Sequence, residues 1–166
     1  MKKLLLLDAD VVIDFHSLGL FEKMRQAYDL HLTKKVLEEA KYYRKGNAKV
    51  PINIKNKVTI IEDISVARLR TVQEEARKAR LTIDPGEATS IAYILQAEEE
   101  IKFCLCDKAG IKLVSFMDLE KKAISLQRAL QEAGHHTKLL PRHLESGFKA
   151  CIKEGKALRI QFKQLI

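Results

Sequence analysis

Three aspartates follow the most apolar run near the start of the chain. Leu4–Leu7 is a run of four leucines, and Asp8, Asp10 and Asp14 come within the seven residues after it. Short uninterrupted apolar runs are typical of strands that a parallel sheet covers on both faces. In open α/β sheets, sites form beyond the carboxyl ends of the strands. The pattern therefore predicts a buried strand whose end carries acidic chemistry.

Three further acids in the chain are candidates for the same edge. Asp107 directly follows the predicted strand Lys102–Cys106. If this strand runs parallel to the first, Asp107 and Asp8 lie on one edge of the sheet. Glu39, in the segment VLEEA, and Glu87, in the segment DPGEA, could join them, with Glu38 as the alternative to Glu39.

The chemistry of clustered carboxylates points to a divalent cation. Two like charges about 4 Å apart cost about 4 kcal/mol at an effective dielectric of 20, and a bound cation or shared protons relieve that cost. Ligands that are all oxygen favour Mg²⁺ or Mn²⁺ over zinc. Cys104, Cys106 and Cys151 form no CxxC pair, and His143 has no evident partner, so no zinc set is predicted.

Simpler structural roles compete with this interpretation. Asp8 and Asp10 are common types of turn residue after a strand. Asp14, one helical turn beyond Asp10, is interpreted as a solvated or capping acid. Asp84 and Glu87 match a helix capping box, in which the glutamate bonds back to the cap.

The chain alternates predicted strands with predicted helices. The strands are expected at 4–7, 30–32, 58–61, 102–106 and 112–116, with an edge strand at 156–166; residues 58–61 could instead lead into the next helix. The helices are expected at 17–28, 33–44, 64–80, 84–99, 118–133 and 141–154, with a basic loop at 45–57 and Gly155 as a helix end. This alternation predicts one domain over 1–166, with a three-layer α/β/α fold around a central, mostly parallel sheet.

The charge balance predicts a polyanionic partner. The net charge is +8 and the isoelectric point about 9.4. Residues 33–58 hold eight Lys/Arg against two acids, and residues 135–166 hold seven against two. Either segment alone suits a solvated face of a soluble basic protein. Together, flanking an acidic site, they suit a phosphate backbone.

Targeting signals are not evident. The leucine run is shorter than the roughly 7–15 apolar residues of a signal peptide, and no segment reaches the roughly 18–20 of a membrane span. An odd number of cysteines fits a reducing compartment. We therefore expect a cytoplasmic protein without membrane contact.

Four segments, in this order, resemble the acidic motifs of PIN domains. They are LLLLDADVVIDF, LTKKVLEEA, DPGEATSIAYIL and FCLCDKAGIKLV, and they span residues 3 to about 120. The resemblance is to the small prokaryotic PIN proteins related to toxin–antitoxin ribonucleases. It implies that Asp8, Glu39, Glu87 and Asp107 are the four family acids, which bind Mg²⁺ or Mn²⁺ and carry catalysis.

The activity implied by the resemblance is metal-dependent hydrolysis of RNA phosphodiester bonds. A toxin role, an antitoxin-like protein partner and a homodimer are further expectations that it raises. Two positions depart from the family pattern: Asp10 stands where many relatives have Asn, Ser or Thr, and Glu87 where the toxin branch often has Asp. Glu39 is preferred to Glu38 because it falls three residues after Val36, as in the family.

Two other functions fit parts of the pattern. A strand that ends in DxD also resembles phosphatases with an aspartyl nucleophile, in which Asp8 would attack and Asp10 act as acid and base. Those enzymes normally have Thr at the position of Val12. The other alternative is a PIN-like module that binds RNA or protein with weak or no catalytic activity.

Overall fold

The leucine run lies in the middle strand of a parallel sheet. A computed structural model describes residues 1–166. Its seven strands are β1 (Lys3–Leu7), β2 (Tyr28–Thr33), β3 (Tyr42–Lys45), β4 (Ala48–Pro51), β5 (Thr59–Ile61), β6 (Ile101–Cys104) and β7 (Ala123–Ile124). Five of them pair in the order β5-β2-β1-β6-β7, and every pairing is parallel. The other two, β3 and β4, form a separate antiparallel hairpin.

Helices cover both faces of this sheet. They are α1 (Ala9–Ser17), α2 (Phe21–Ala27), α3 (Lys34–Glu39), α4 (Val66–Lys78), α5 (Pro85–Gln96), α6 (Lys108–Phe116), α7 (Leu126–Glu132) and α8 (Glu145–Leu165). Leu5 and Leu7 pack in one core with α1, α2 and α7, whereas Leu6 packs in a second core with α4, α5, α6 and α8. Successive strand residues point to opposite faces. The predicted three-layer α/β/α fold is therefore confirmed. No helix is both long and apolar enough to cross a bilayer.

The first predicted helix, over 17–28, is wrong in its bounds. Helix α1 begins directly after Asp8, and α2 begins only at Phe21. Gly19 separates them with a φ of +67°, a left-handed conformation that suits glycine. As a result, Asp10 and Asp14 lie one turn apart on α1.

The helix predicted over 33–44 ends early, and the loop predicted over 45–57 is partly a hairpin. Thr33 caps α3 by accepting a hydrogen bond from the Val36 N–H at 3.2 Å, but α3 ends at Glu39. The β3–β4 pairing leaves Gly46 and Asn47 as a two-residue loop, with Gly46 at φ +63°. Such a loop between residues of strand propensity is a hairpin signal that the helical interpretation overrode.

The strand predicted over 112–116 is a helix. Helix α6 starts at Lys108, and the Asp107 side chain caps it by accepting a hydrogen bond from the Gly110 N–H at 3.0 Å. Short apolar runs fit a buried strand and a buried helix equally well, and only the tertiary contacts decide between them.

The single helix predicted over 118–133 is also wrong. A 3₁₀ turn at Glu120–Lys122 leads into the edge strand β7, and Ser125 then caps the shorter helix α7. Asp118 has a φ of +62°, a left-handed conformation that interrupts helical geometry at the start of the predicted segment.

The end of the chain is one long helix. The helix predicted over 141–154 is instead a 3₁₀ turn at Pro141–His143 followed by α8, which continues through the edge strand predicted over 156–166. Gly155 does not end a helix. It lies against α6, where a Cβ would overlap the Lys112 backbone oxygen, so its role is close helix packing.

Candidate metal centre

Asp8 and Asp107 lie at the same edge of the sheet, as the sequence predicts. Asp8 follows β1 directly, and its backbone N–H donates to the Cys104 carbonyl at the end of β6 at 3.1 Å. Asp107 comes three residues after that strand ends. Because β1 and β6 are parallel neighbours, both acids lie beyond their carboxyl ends.

Glu87 forms the predicted capping box, and its other carboxylate oxygen is buried beside the acids at the sheet edge. The Asp84 side chain accepts a hydrogen bond from the Glu87 N–H at 2.8 Å, and Glu87 Oε1 lies 3.5 Å from the Asp84 N–H, which completes a capping box. The same side chain is only 3% exposed, and its Oε2 has no hydrogen-bond partner. The capping box thus fixes the orientation of Glu87, whose Oε2 is buried without a hydrogen-bond partner.

Glu39, rather than Glu38, reaches this region. Its Oε1 accepts a hydrogen bond from the Gly86 N–H at 2.9 Å, which places it beside the first turn of α5. Glu38 instead pairs with Lys35 at 3.5 Å on the exposed side of α3, with about half of its side chain accessible.

Two glycines make room for these carboxylates. A Cβ on Gly86 would overlap Glu39 Oε2, and a Cβ on Gly110 would overlap Glu87 Oε2. Neither glycine has a left-handed φ. These positions therefore require glycine because the carboxylates approach so closely, and not because of the backbone conformation.

Asp84 and Asp10 extend the group to six acids. Repulsion from Asp84, Asp10 and Glu39 acts on Asp8, and repulsion from Asp8, Asp107 and Asp84 acts on Glu87. We call the six the acidic cluster: Asp8, Asp10, Glu39, Asp84, Glu87 and Asp107. Asp8 and Glu87 form its buried floor, Asp10 and Asp84 are exposed at its mouth, and Glu39 and Asp107 lie between. The sequence indicates only a capping role for Asp84, although its position one turn before Glu87 is a usable signal of the site.

Burial raises the pKa values of the floor residues most strongly. It raises the pKa of Asp8 to about 8, and repulsion from the neighbouring acids adds to the effect. Burial, then repulsion from Asp8 and Asp107, raises the pKa of Glu87 to about 10. Burial also raises the pKa values of Asp10 and Glu39. No Lys or Arg ion pair neutralises any member of the cluster.

The chemistry of the donor set suits a hard divalent cation, although no three of its residues place carboxylate oxygens within 4.8 Å of one another. Asp8 Oδ1 and Glu87 Oε2 are buried without a hydrogen-bond partner, although buried polar atoms are nearly always paired. All of the available donors in the cluster are carboxylate oxygens, the ligands that Mg²⁺ and Mn²⁺ prefer. Asp8, Glu39, Glu87 and Asp107 are the residues that would hold such an ion.

Asp14 and His143 correct two sequence interpretations. Asp14 is not a solvated acid: it is 6% exposed and accepts hydrogen bonds from Arg142 Nη2 at 2.7 Å and Arg142 Nε at 3.2 Å. His143 is not isolated, because its Nε2 lies 2.8 Å from Asp14 Oδ2. We call these three residues the Asp14 clasp. It joins α1 to the segment before α8.

Asp14 and His143 of the clasp, together with Cys106, lie close enough to one another to hold a metal ion. Their chemistry nevertheless argues against a metal site. His143 Nδ1 accepts a hydrogen bond from the Leu140 N–H at 3.2 Å, so Nε2 carries the proton and donates to Asp14. Both Asp14 oxygens are used by donors, and Arg142 already supplies a positive charge. Burial raises the pKa of Cys106 to about 12, which keeps the thiol protonated.

We expect the acidic cluster to make stability fall as pH rises in the presence of a chelator. The native pKa values of Asp8 and Glu87 lie above the unfolded values of about 4, so the native state binds more protons between about pH 4 and pH 8 for Asp8 and up to about pH 10 for Glu87. Their contribution is fully present below about pH 4 and is lost as pH rises through the native values. Each group adds a slope of at most about 1.4 kcal/mol per pH unit.

Urea unfolding at a series of pH values, in EDTA, measures this slope. The relevant quantity is the difference between the wild-type protein and an Asp8→Asn, Glu87→Gln double variant, because other groups titrate in both proteins. Parallel pH profiles for the two proteins would contradict the raised pKa values.

Comparisons of the chain with protein-family models, with curated proteins and with solved structures found no significant match.

Proposed function

We propose that the protein is a PIN-like ribonuclease that hydrolyses RNA phosphodiester bonds with Mg²⁺ or Mn²⁺. The observation that carries the proposal is the convergence of six carboxylates at one sheet edge, with Asp8 Oδ1 and Glu87 Oε2 buried and unpaired. Strongly perturbed pKa values of this kind are concentrated at functional sites, which supports the proposal.

The buried acids of the cluster and its exposed acids would have different functions. Asp8 and Glu87 would hold a cation at the buried floor, and Glu39 and Asp107 would complete its oxygen ligands. A bound divalent ion supplies Lewis acidity, which lowers the pKa of water and offsets phosphate charge. Asp10 and Asp84, exposed at the mouth, are the carboxylates able to take a proton from an attacking water.

A cation at the mouth supports phosphate binding. Arg142 is held by Asp14, half of its side chain is exposed, and its charge partly offsets the rise that burial and neighbouring acids cause in the pKa of Asp10. The eight Lys and Arg side chains of residues 33–58 are all exposed as well. These charges would attract an RNA backbone that the acidic cluster alone would repel.

The choice of RNA rather than DNA as the substrate rests on the resemblance to PIN domains. The antitoxin-like partner, the toxin role and the homodimer stay predictions. If the chain binds RNA but cleaves none with Mg²⁺ or Mn²⁺, the alternative of a catalytically weak binding module is the better description.

Two adjacent glutamates provide a matched test of the proposal. We expect Glu39→Gln to slow Mn²⁺-dependent cleavage of a labelled RNA at least about 100-fold, equivalent to about 2.7 kcal/mol of transition-state stabilisation. Glu38→Gln, one residue away on the solvent side, should cleave within about two-fold of the wild type because its side chain lies outside the cluster.

The measurement is the initial rate on structured and unstructured RNA, with Mn²⁺, with Mg²⁺ and with EDTA. Cleavage that persists in EDTA, or that responds equally to Glu38→Gln and Glu39→Gln, would refute the assignment of this site.

A further inference from the structure

An open groove lies between the end of α3, the base of the β3–β4 hairpin and residues 52–57. The Lys41 carbonyl, just after α3, accepts a hydrogen bond from the Ile52 N–H at 2.8 Å, which fixes the base of the hairpin. The groove has a volume of about 650 Å³. Its polar lining, which defines the hairpin groove, is Lys41, Tyr42, Asn53, Lys55, Asn56 and Lys57.

All of the charged residues that line the groove are positive. Three lysines and two asparagines line the groove, and no carboxylate does. Arg44, Lys45 and Lys49 add exposed positive charge on the hairpin itself. Only Lys57 has a carboxylate partner, Glu22 at 2.9 Å. A polyanion is therefore the ligand that this surface complements.

Tyr42 adds an exposed aromatic ring to the positively charged groove. Its side chain is 46% exposed, and it is the one aromatic side chain of the protein that is exposed. Lys49 Nζ lies 4.5 Å from the centre of the ring. An exposed ring beside cations is the arrangement on which unpaired bases stack in proteins that bind single-stranded nucleic acid.

The groove adjoins elements that also build the acidic cluster. Helix α3 ends at Glu39, a member of the cluster, and the next residues enter the groove. Helix α1 starts after Asp8 and reaches His16, whose ring lies 5.4 Å from that of Tyr43 on the hairpin. At 1.5 Å per residue, the eight residues from Asp8 to His16 rise about 12 Å along this helix, so the hairpin packs against the far end of the helix that Asp8 begins.

We propose that the hairpin groove binds a single-stranded stretch of RNA, with lysines on the phosphates and Tyr42 stacked on a base. The choice of RNA among polyanions rests on the proposed function. Single strands are favoured over duplexes because stacking on Tyr42 needs a base with a free face, which a helix of paired bases hides.

Binding measured without cleavage tests this inference. We would measure the fluorescence anisotropy of a labelled 20-nucleotide unpaired RNA and of a 20-base-pair duplex, both in EDTA. Tyr42→Ala should weaken binding of the single strand at least about five-fold, within the range for loss of one stacked base, and leave duplex binding unchanged. Tyr42→Phe, which keeps the ring, should bind like the wild type.

Charge variants supply the second arm of the test. The double variant Lys41→Gln, Lys55→Gln should reduce the slope of log affinity against log salt by about 1.4, since each phosphate contact to a single strand contributes about 0.7. Lys121→Gln, on the 3₁₀ turn near the opposite edge of the sheet, is the matched control and should leave the slope unchanged. Thermal melting would verify that each variant folds.

Three results would overturn the inference. The first is that Tyr42→Ala binds the single strand as tightly as the wild type does, and the second is that it loses equal affinity for single strand and duplex. The third is that poly-glutamate at matched charge displaces the RNA, which would indicate an acidic protein partner. None of them bears on cleavage at the acidic cluster, because the Glu38 and Glu39 variants test that separately.

Discussion

Asp8→Asn is expected to abolish catalysis and to stabilise the fold. Under the proposed function, cleavage with Mn²⁺ should fall at least about 10³-fold, because the cation would lose a floor ligand worth several kcal/mol of transition-state stabilisation. In EDTA at pH 7 the melting temperature should rise, since burial and the surrounding acids penalise the ionised form of Asp8. A gain of about 1 kcal/mol corresponds to about 2–4 °C for a domain of this size.

Opposite effects on activity and stability separate a functional site from a structural one. Glu87→Gln should behave as Asp8→Asn does, because Glu87 is equally buried and its Oε2 is also unpaired. Glu100→Gln, at an exposed glutamate directly before β6 and so at the other end of that strand from the acidic cluster, serves as the control and should change neither property. A loss of stability in EDTA on neutralising Asp8 would show that its charge supports the fold, contrary to this account.

Asp14→Asn is expected to cost the fold about 1–3 kcal/mol. The substitution removes the carboxylate that accepts hydrogen bonds from the buried His143 and from Arg142, and losing hydrogen bonds of this kind costs about that much. The melting temperature should fall by about 2–12 °C. The loss should be similar with and without Mn²⁺, because the Asp14 clasp holds structure and not a cation.

An exposed ion pair gives the matched control for this variant. Asp118 pairs with Arg159 at 2.9 Å, but 77% of its side chain is accessible. Exposed pairs contribute about 0–1 kcal/mol, so Asp118→Asn should be nearly neutral. Chemical denaturation of the two variants measures the difference. Equal small losses would mean that Asp14 is as dispensable as a surface acid.

The sequence predicts the sheet edge and its acids well because that information is local. A run of four leucines followed by an aspartate already combines a buried strand with a site at its end. The same logic places Asp107 beside Asp8, and the family pattern selects Glu39 over its neighbour. These four acids come together in the structure, although their catalytic role stays a proposal.

The contacts that the sequence does not predict are the distant ones. Asp14 and its partners in the clasp are separated by 128 and 129 residues, so no local pattern reveals the pairing. The apolar run of α6 resembles a strand in the sequence, and its packing against α8 decides that it is a helix. Asp84 is hard to predict for a different reason, because its capping role is a sufficient explanation for an aspartate at that position.

Titration calorimetry with Mn²⁺ tests the central claim most directly, because the claim is that distant carboxylates jointly hold a divalent cation. We predict saturable binding to the wild-type protein and to Glu38→Gln, with binding lost in both Asp8→Asn and Glu87→Gln. Equal Mn²⁺ binding by all four proteins, or no binding by any of them, would contradict the account.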